Sequence, residues 1–333
     1  ICGKRMPMFA IPHTNNLKIF ELMMYNGVNP ITGDKLIDTH IDFENATFEQ
    51  MCAEYGRLMD VIIKREEEYC NVIMTVHNNL GLVHPIMSAL LDDCLERGEH
   101  AYAGGCRFND SPYVISCGVV NVANSLAAIK KNVFDDKKFT MKEMMTAIRA
   151  NWEGYEPMRK AMLDAPKYGN DNEYVDAIAA DIIRHYAKNL EQYRDSRGGH
   201  FVEVVESQSM NVSQGKCVLA SPDGRFAYDP VNDNCSPVMG RDVSGPPACI
   251  NSVAHLDQKN AKDGCLYNIR FDPRSIQGEK GLQVLGSIVK TYFANMGEHI
   301  QINVVDDATL RAAQKNPENY RNLLVRVVGY LAY

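Results

Sequence analysis

The last third of the chain alternates strand-like and helix-like segments, and this alternation most narrows the possible folds. YNIRF, HIQINVV and LLVRVV read as strands, and helical patterns over 281–294 and 309–315 separate them. Strands that keep returning after a helix make an α/β architecture the default.

Upstream, helices dominate. NLKIFELMMY carries apolar residues at helical spacing and stops at Asn26–Gly27, a fitting C-terminus. Thr47 and Gln50 form a capping-box pattern that opens a long amphipathic helix, expected to reach about Val76. PIMSALLDDCLER reads as one helix closed by Gly98. Tyr113 to Val120 reads as a buried strand, followed by the helical NVANSLAAIKKNVF. A second capping box, Thr140 with Glu143, starts a helix expected to end near Gly154, and a further helix covers 171–193. After Gly198–Gly199 the texture changes to short strands and Gly/Pro loops, through HFVEVVES, ASPDGRFAYDP and SPVMGRDVSGPPA. A helix over ACINSVAHLD begins just after Pro246–Pro247. The shift over 198–212 is the best internal boundary, and no internal repeat is visible.

Composition excludes several classes. The net charge is -7 with no clustered Lys/Arg run, which argues against nucleic acid. No apolar run approaches the ~18 residues of a membrane span. None of the ten cysteines forms a CxxC pair, and several sit in apolar runs, as Cys52 and Cys117 do. They read as reduced, mostly buried thiols of a cytoplasmic protein, not as disulfides or a zinc site. The chain starts ICGKRMPMF and stops on a Tyr within an apolar run, so it reads as a piece of a longer protein.

Four spaced motifs lie in the second half. They are Ser221-Pro222-Asp223-Gly224-Arg225, Gly240-Arg241-Asp242-Val243-Ser244-Gly245-Pro246-Pro247-Ala248, Gln301-Ile302-Asn303-Val304 and Arg326-Val327-Val328-Gly329-Tyr330-Leu331-Ala332. With LKIFELMMYNG, SALLDDCLERGEHAYAGGCRFN, VNVANSLAAIKKNVF and Lys167-Tyr168-Gly169-Asn170-Asp171 upstream, the chain resembles the glycyl radical enzymes, the pyruvate formate-lyase-like family, along nearly its whole length. Two positions depart from the family pattern. Pro247 stands where Thr is usual, and Val328 precedes the glycine where a smaller residue is usual.

The resemblance implies a ten-stranded α/β barrel of two antiparallel five-stranded halves, wrapped by helices. This chain would supply the C-terminal part of the barrel over 1–200 and a glycine radical domain over 201–333. Gly329 would carry the radical, because a Cα radical needs a near-planar centre that a side chain would crowd. The family implies no bound cofactor. A separate activating enzyme, using S-adenosylmethionine and an iron–sulfur cluster, would install the radical. A cysteine would then become the thiyl radical that takes hydrogen from a small-molecule substrate. Cys2 lies near the expected place, but Lys4 stands where the family has Glu, and the reacting cysteine is expected a few residues before Ile1.

The resemblance points to a lyase or dehydratase acting on a small alcohol, diol or amino alcohol, homodimeric at full length. Alternatives are an acyltransferase or arylacetate decarboxylase of the same family, and a spare-part subunit that donates its radical domain. Asp223 and Arg225 read as organisers of a loop, since Asp-Gly favours a turn. Asp92 and Asp93 read as surface carboxylates. His13, His84 and His299 read as structural, and no His/Cys/Asp spacing marks a metal site.

Overall fold

Short parallel strands follow one another in chain order. β1 (His13–Asn15) pairs with β2 (Tyr113–Cys117), and β2 with β3 (Val202–Val204). Val205 then bridges Cys265 in the parallel sense, which leads to β4 (Asn268–Phe271) and its parallel partner β5 (Gln301–Val304). This is the helix-covered parallel succession that the resemblance implies for one half of a barrel. The computed structural model describes residues 12–109, 113–207, 209–323, 325–327 and 330–332.

Between β1 and β2 lie α1 (Asn16–Met24), α2 (Phe48–Asn79), α3 (Pro85–Ala89) and α4 (Cys94–Arg97). Between β2 and β3 lie α5 (Val119–Ile129), α6 (Met141–Arg149), α7 (Glu156–Asp164) and α8 (Glu173–Leu190). Both capping boxes form. Gln50 N–H donates to Thr47 Oγ1 at 3.2 Å while Thr47 N–H donates to Gln50 Oε1 at 2.9 Å, and Thr140 and Glu143 repeat the exchange. Each box satisfies two helix-end donors and contributes on the order of 1 kcal/mol.

After β3 come α9 (Asn211–Gly215) and α10 (Pro246–Ala254), then α11 (Gly278–Ala294) between β4 and β5, and α12 (Asp307–Lys315). The expected strand LLVRVV contributes β6 (Val325–Val327), but it does not extend the parallel run. It pairs antiparallel with β7 (Tyr330–Ala332), with Val327 opposite Tyr330.

Four other expectations are corrected. PIMSALLDDCLER is two short helices, because Asp93 adopts φ 73° and its carboxylate is held by Arg107 at 2.6 Å and by Arg97. These pairs hold the left-handed Asp93 at the junction between the two helices. The strand expected to reach Val120 ends at Cys117, and α5 starts at Val119 after the left-handed Gly118. The helix expected to reach Gly154 stops at Arg149. Asn151 and Trp152 both take positive φ, which swings the single tryptophan into the core. ASPDGRFAYDP and SPVMGRDVSGPPA form loops, not strands.

Side chains alternate across a strand, so the parallel run has two faces. Val114, Val205, Cys265, Ile269 and Phe271 join the main core with the helices. Ile115, Cys117, Val202 and Val204 form a separate apolar cluster on the opposite face. Register carries that opposite face on to Asn268, Arg270, Gln301 and Asn303, where it becomes polar. No helix among the described residues is long and apolar enough to cross a membrane.

Candidate functional site

Every one of the eleven residues of α5 is buried, and its polar side chains are tied to loops far away in sequence. Asn121 donates to Asp223 Oδ2 at 2.7 Å and accepts from the Asn232 amide at 2.7 Å. Asn124 accepts from the Tyr168 amide, and Ser125 from the Asp223 amide. A buried polar side chain keeps its place only when such partners exist, so the sequence VNVANS acts as a peg for three loops.

The first loop is Ser221 to Arg225, where Asp223 accepts from Ser221 Oγ at 2.6 Å. The Arg225 guanidinium donates to Ser221 Oγ and to the carbonyls of Val218, Leu219 and Asp229. The Arg225 carbonyl accepts from the Trp152 indole at 3.1 Å, and the Gly224 carbonyl from Arg159 on α7 at 2.9 Å. Gly224 takes φ +91°, and a Cβ there would stand 2.4 Å from Leu163. Asp223 and Arg225 therefore organise the loop, as their sequence context implies, and both are buried.

Asn170 governs the second loop. Its Oδ1 accepts from the amides of Val243 and Ser244 at 2.8 and 2.9 Å, and its Nδ2 donates to the Arg241 carbonyl at 2.7 Å. Gly169 takes φ +96° with Pro237 packed where a Cβ would be. Lys167 is buried beside them, donating to the carbonyls of Met162 and Ala165, and burial pulls its pKa down to about 8. The KYGND motif thus clamps the GRDVSG segment, whose Val243 stands exposed, as does Met239 just before it. Asn170→Ala removes these bonds and is expected to cost about 3 kcal/mol, at roughly 1 kcal/mol per bond. Faster tryptic cleavage after Arg241 would register it, and an unchanged cleavage rate would contradict the clamp.

The third loop, 231–236, reaches the polar part of the face opposite the helices. Asp233 accepts from Asn268 Nδ2 and from Ser207 Oγ, both at 2.7 Å, while Asn234 Oδ1 accepts from the Ser207 amide at 2.7 Å. Ser236 exchanges bonds with the backbone of Asn268. The Gln-x-Asn-Val motif on β5 places Gln301 and Asn303 beside Asn268 and Arg270 on the same face.

Gly329 and Cys2 lie outside the described residues. Pro247 stands in the first turn of α10, where a missing N–H costs nothing. Asp93 and Asp92 pair with Arg107, and the His84 ring packs on His77 and Tyr102. Burial lowers the His13 pKa. The nine cysteines among the described residues are free thiols. Asp171, Asp176 and His255 each bring one ligand atom within 4.8 Å of the others, a grouping no local spacing could reveal. Asp176 is held there by Ser252 Oγ and the Asn172 amide, and Asp171 by Asn251.

Sequence reasoning missed a buried pair of glutamates on the helix side of the strands. Glu66 on α2 accepts from Tyr186 at 2.5 Å and from Thr14, and burial pushes its pKa up to about 8. Glu203 on β3 is also pushed up to about 8, by burial and then by the charge of Glu66. The Ser116 hydroxyl works the other way without completing a hydrogen bond, and neither Glu203 oxygen has a partner among the described residues. The alternation in HFVEVVES was the available signal, since it puts Glu203 opposite the face of Val202 and Val204.

The pyruvate formate lyase-like family model matches residues 1–215, and the glycine radical model matches residues 231–333. Trans-4-hydroxy-L-proline dehydratase of Clostridioides difficile is 37% identical over 323 residues, covering 96% of this chain and 40% of that protein. (2S)-3-sulfopropanediol dehydratase of Klebsiella oxytoca is 33% identical over 347 residues, covering 100% of this chain and 41% of that protein. The glycerol-bound B12-independent glycerol dehydratase of Clostridium butyricum superposes with a TM-score of 0.93 at 34% identity, over 99% of this chain and 42% of that one. The chain thus spans about two fifths of the length of the relatives it matches.

Proposed function

Because the chain belongs to the pyruvate formate lyase-like family of glycyl radical enzymes, we propose that it is the radical-bearing part of a dehydratase. Its substrate would be a small alcohol, diol or amino alcohol. Residues 1–200 are assigned to the barrel and 201–333 to the glycine radical domain. The observation that carries this reading is the order of the two family matches along one chain, ending in Arg326-Val327-Val328-Gly329-Tyr330-Leu331-Ala332. The dehydratase names of the relatives set the reaction class. A barrel-family match over 1–215 favours an enzyme over a spare-part radical subunit.

Loss of one Cα hydrogen from Gly329 leaves a radical spread over the flanking amides, which a glycine tolerates best. That radical takes a hydrogen atom from a cysteine thiol. The resulting thiyl takes one from the substrate carbon that bears a hydroxyl. The hydroxyl on the radical carbon gives up its proton while a proton reaches the neighbouring hydroxyl, whose C–O bond breaks so that water leaves. The thiol then returns its hydrogen atom to the carbonyl radical that remains. The activating partner would be an S-adenosylmethionine enzyme with an iron–sulfur cluster, and the full-length protein a cytoplasmic homodimer.

The test is anaerobic activation of the full-length protein, with the radical counted by EPR and products from glycerol, 1,2-propanediol and trans-4-hydroxy-L-proline followed by NMR. Water loss from one of them is expected. Carbon dioxide release from an arylacetate by the activated protein would replace the dehydratase reading, and absence of any radical would end it. In the same assay Cys2→Ala is expected to keep both radical and turnover. A radical-bearing, inactive Cys2→Ala enzyme would assign Cys2 as the thiyl residue.

A further inference from the structure

Asp176, in the first turn of α8, is only 1% exposed, and its two oxygens are treated unequally. Its Oδ2 accepts from Ser252 Oγ at 2.8 Å and from the Asn172 amide at 3.0 Å. Its Oδ1 is buried with no hydrogen-bond partner among the described residues. A bare oxygen on a buried carboxylate is costly unless a donor or a cation meets it. Burial accordingly pushes the Asp176 pKa up to about 6.

Two further ligand groups converge on the same corner. An oxygen of Asp171, an oxygen of Asp176 and a ring nitrogen of His255 all lie within 4.8 Å of one another. Asp171 closes the KYGND motif, and His255 directly follows α10. Glu173 brings another carboxylate, with its Oε2 3.9 Å from His255 Nε2. The α10 helix also orients both aspartates. Asn251 Nδ2 donates to Asp171 Oδ2 at 2.9 Å, and Ser252 Oγ accepts from the Asp171 amide while donating to Asp176. Outer bonds of this kind fix the carboxylates that hold a metal. Asp171 and His255 are exposed, so the corner opens to solvent.

We propose that Asp171, Asp176 and His255 bind a divalent cation of the zinc type. Two carboxylates offset its charge, and the imidazole nitrogen favours Zn²⁺ over Mg²⁺ or Ca²⁺, which take oxygen ligands. Water or Glu173 fills the fourth position. Ligand atoms around a tetrahedral zinc stand about 3.3 Å apart, so the exposed Asp171 and His255 close by no more than about 1.5 Å. The ion joins the start of α8, in the part assigned to the barrel, to the end of α10, in the part assigned to the glycine radical domain. Its role is structural, and the proposal stands apart from the dehydratase reading.

The probe is Zn²⁺, titrated by calorimetry into full-length protein stripped with EDTA, with Co²⁺ as an optical reporter. The parent is expected to bind one equivalent that Asp171→Asn and His255→Ala each weaken by roughly a hundredfold. Both side chains are exposed, so in EDTA the variants should melt with the parent. Zn²⁺ should then raise the melting temperature of the parent alone. Bound Co²⁺ should show visible bands that His255→Ala removes. Thiols also bind Zn²⁺, so the equivalent that counts is the one by which parent and variants differ. Equal Zn²⁺ uptake and equal thermal shift in all three proteins overturn the proposal, and so does a parent that takes up no Zn²⁺. Displacement of Zn²⁺ by equimolar Mg²⁺ or Ca²⁺ overturns it too, because the ring would then take no part.

Discussion

Alanine at position 329 is expected to abolish the radical and all turnover in the full-length protein. The expectation rests on the sequence around Gly329 and on the geometry of a Cα radical. Such a radical is stabilised only while the flanking amides stay coplanar with it, and a methyl group crowds that plane. The measurement is EPR after anaerobic activation of parent and Gly329→Ala side by side. The parent should show a doublet from the one remaining Cα hydrogen, and the variant no signal. A doublet that persists unchanged in the variant would move the radical elsewhere. Val328 gives the experiment a second arm: Val328→Ala restores the small neighbour usual in the family and should leave the doublet in place.

The second large effect is on stability and comes from Glu66 and Glu203. Both carboxyl groups have folded-state pKa values near 8, well above the ordinary value of 4.5, because burial penalises their charge. The folded protein therefore holds protons that the unfolded chain has released between about pH 4.5 and 8. Stability is greatest below the unfolded value and falls as pH rises through this window, by roughly 1.4 kcal/mol per pH unit for each group. Glu203→Gln keeps the shape without the titration. It should match the parent near pH 5 and exceed it at pH 8 by on the order of 3 kcal/mol. Urea unfolding of the full-length protein at several pH values between 5 and 8 reads this directly. Parallel pH profiles for parent and variant would mean that Glu203 is ionised in the fold. Glu66→Gln should flatten the profile by a similar amount, because its folded value, with the Tyr186 bond already included, is also about 8.

Local chemistry alone determined much of this protein. The capping boxes at Thr47 and Thr140 mark their helix starts because a side chain three residues on completes each box. YNIRF and HIQINVV are strands, and the helices between and after them stand where apolar spacing puts them. The ordered motifs were enough to name the family and single out Gly329, since a chemical requirement for glycine is written in one residue. Tertiary structure decided whatever depends on residues that meet across the chain. The left-handed Asp93, paired with Arg107, stands at the break in a helix that periodicity alone would continue. Asn170 finds its partners some 70 positions away, which turns a motif of unknown purpose into a clamp on the GRDVSG loop. The split of HFVEVVES between two faces became informative only once strand register placed Glu203 on the helix side and Val202 and Val204 on the other. A one-dimensional pattern carries the period of a strand, but which face meets helices depends on what packs against it.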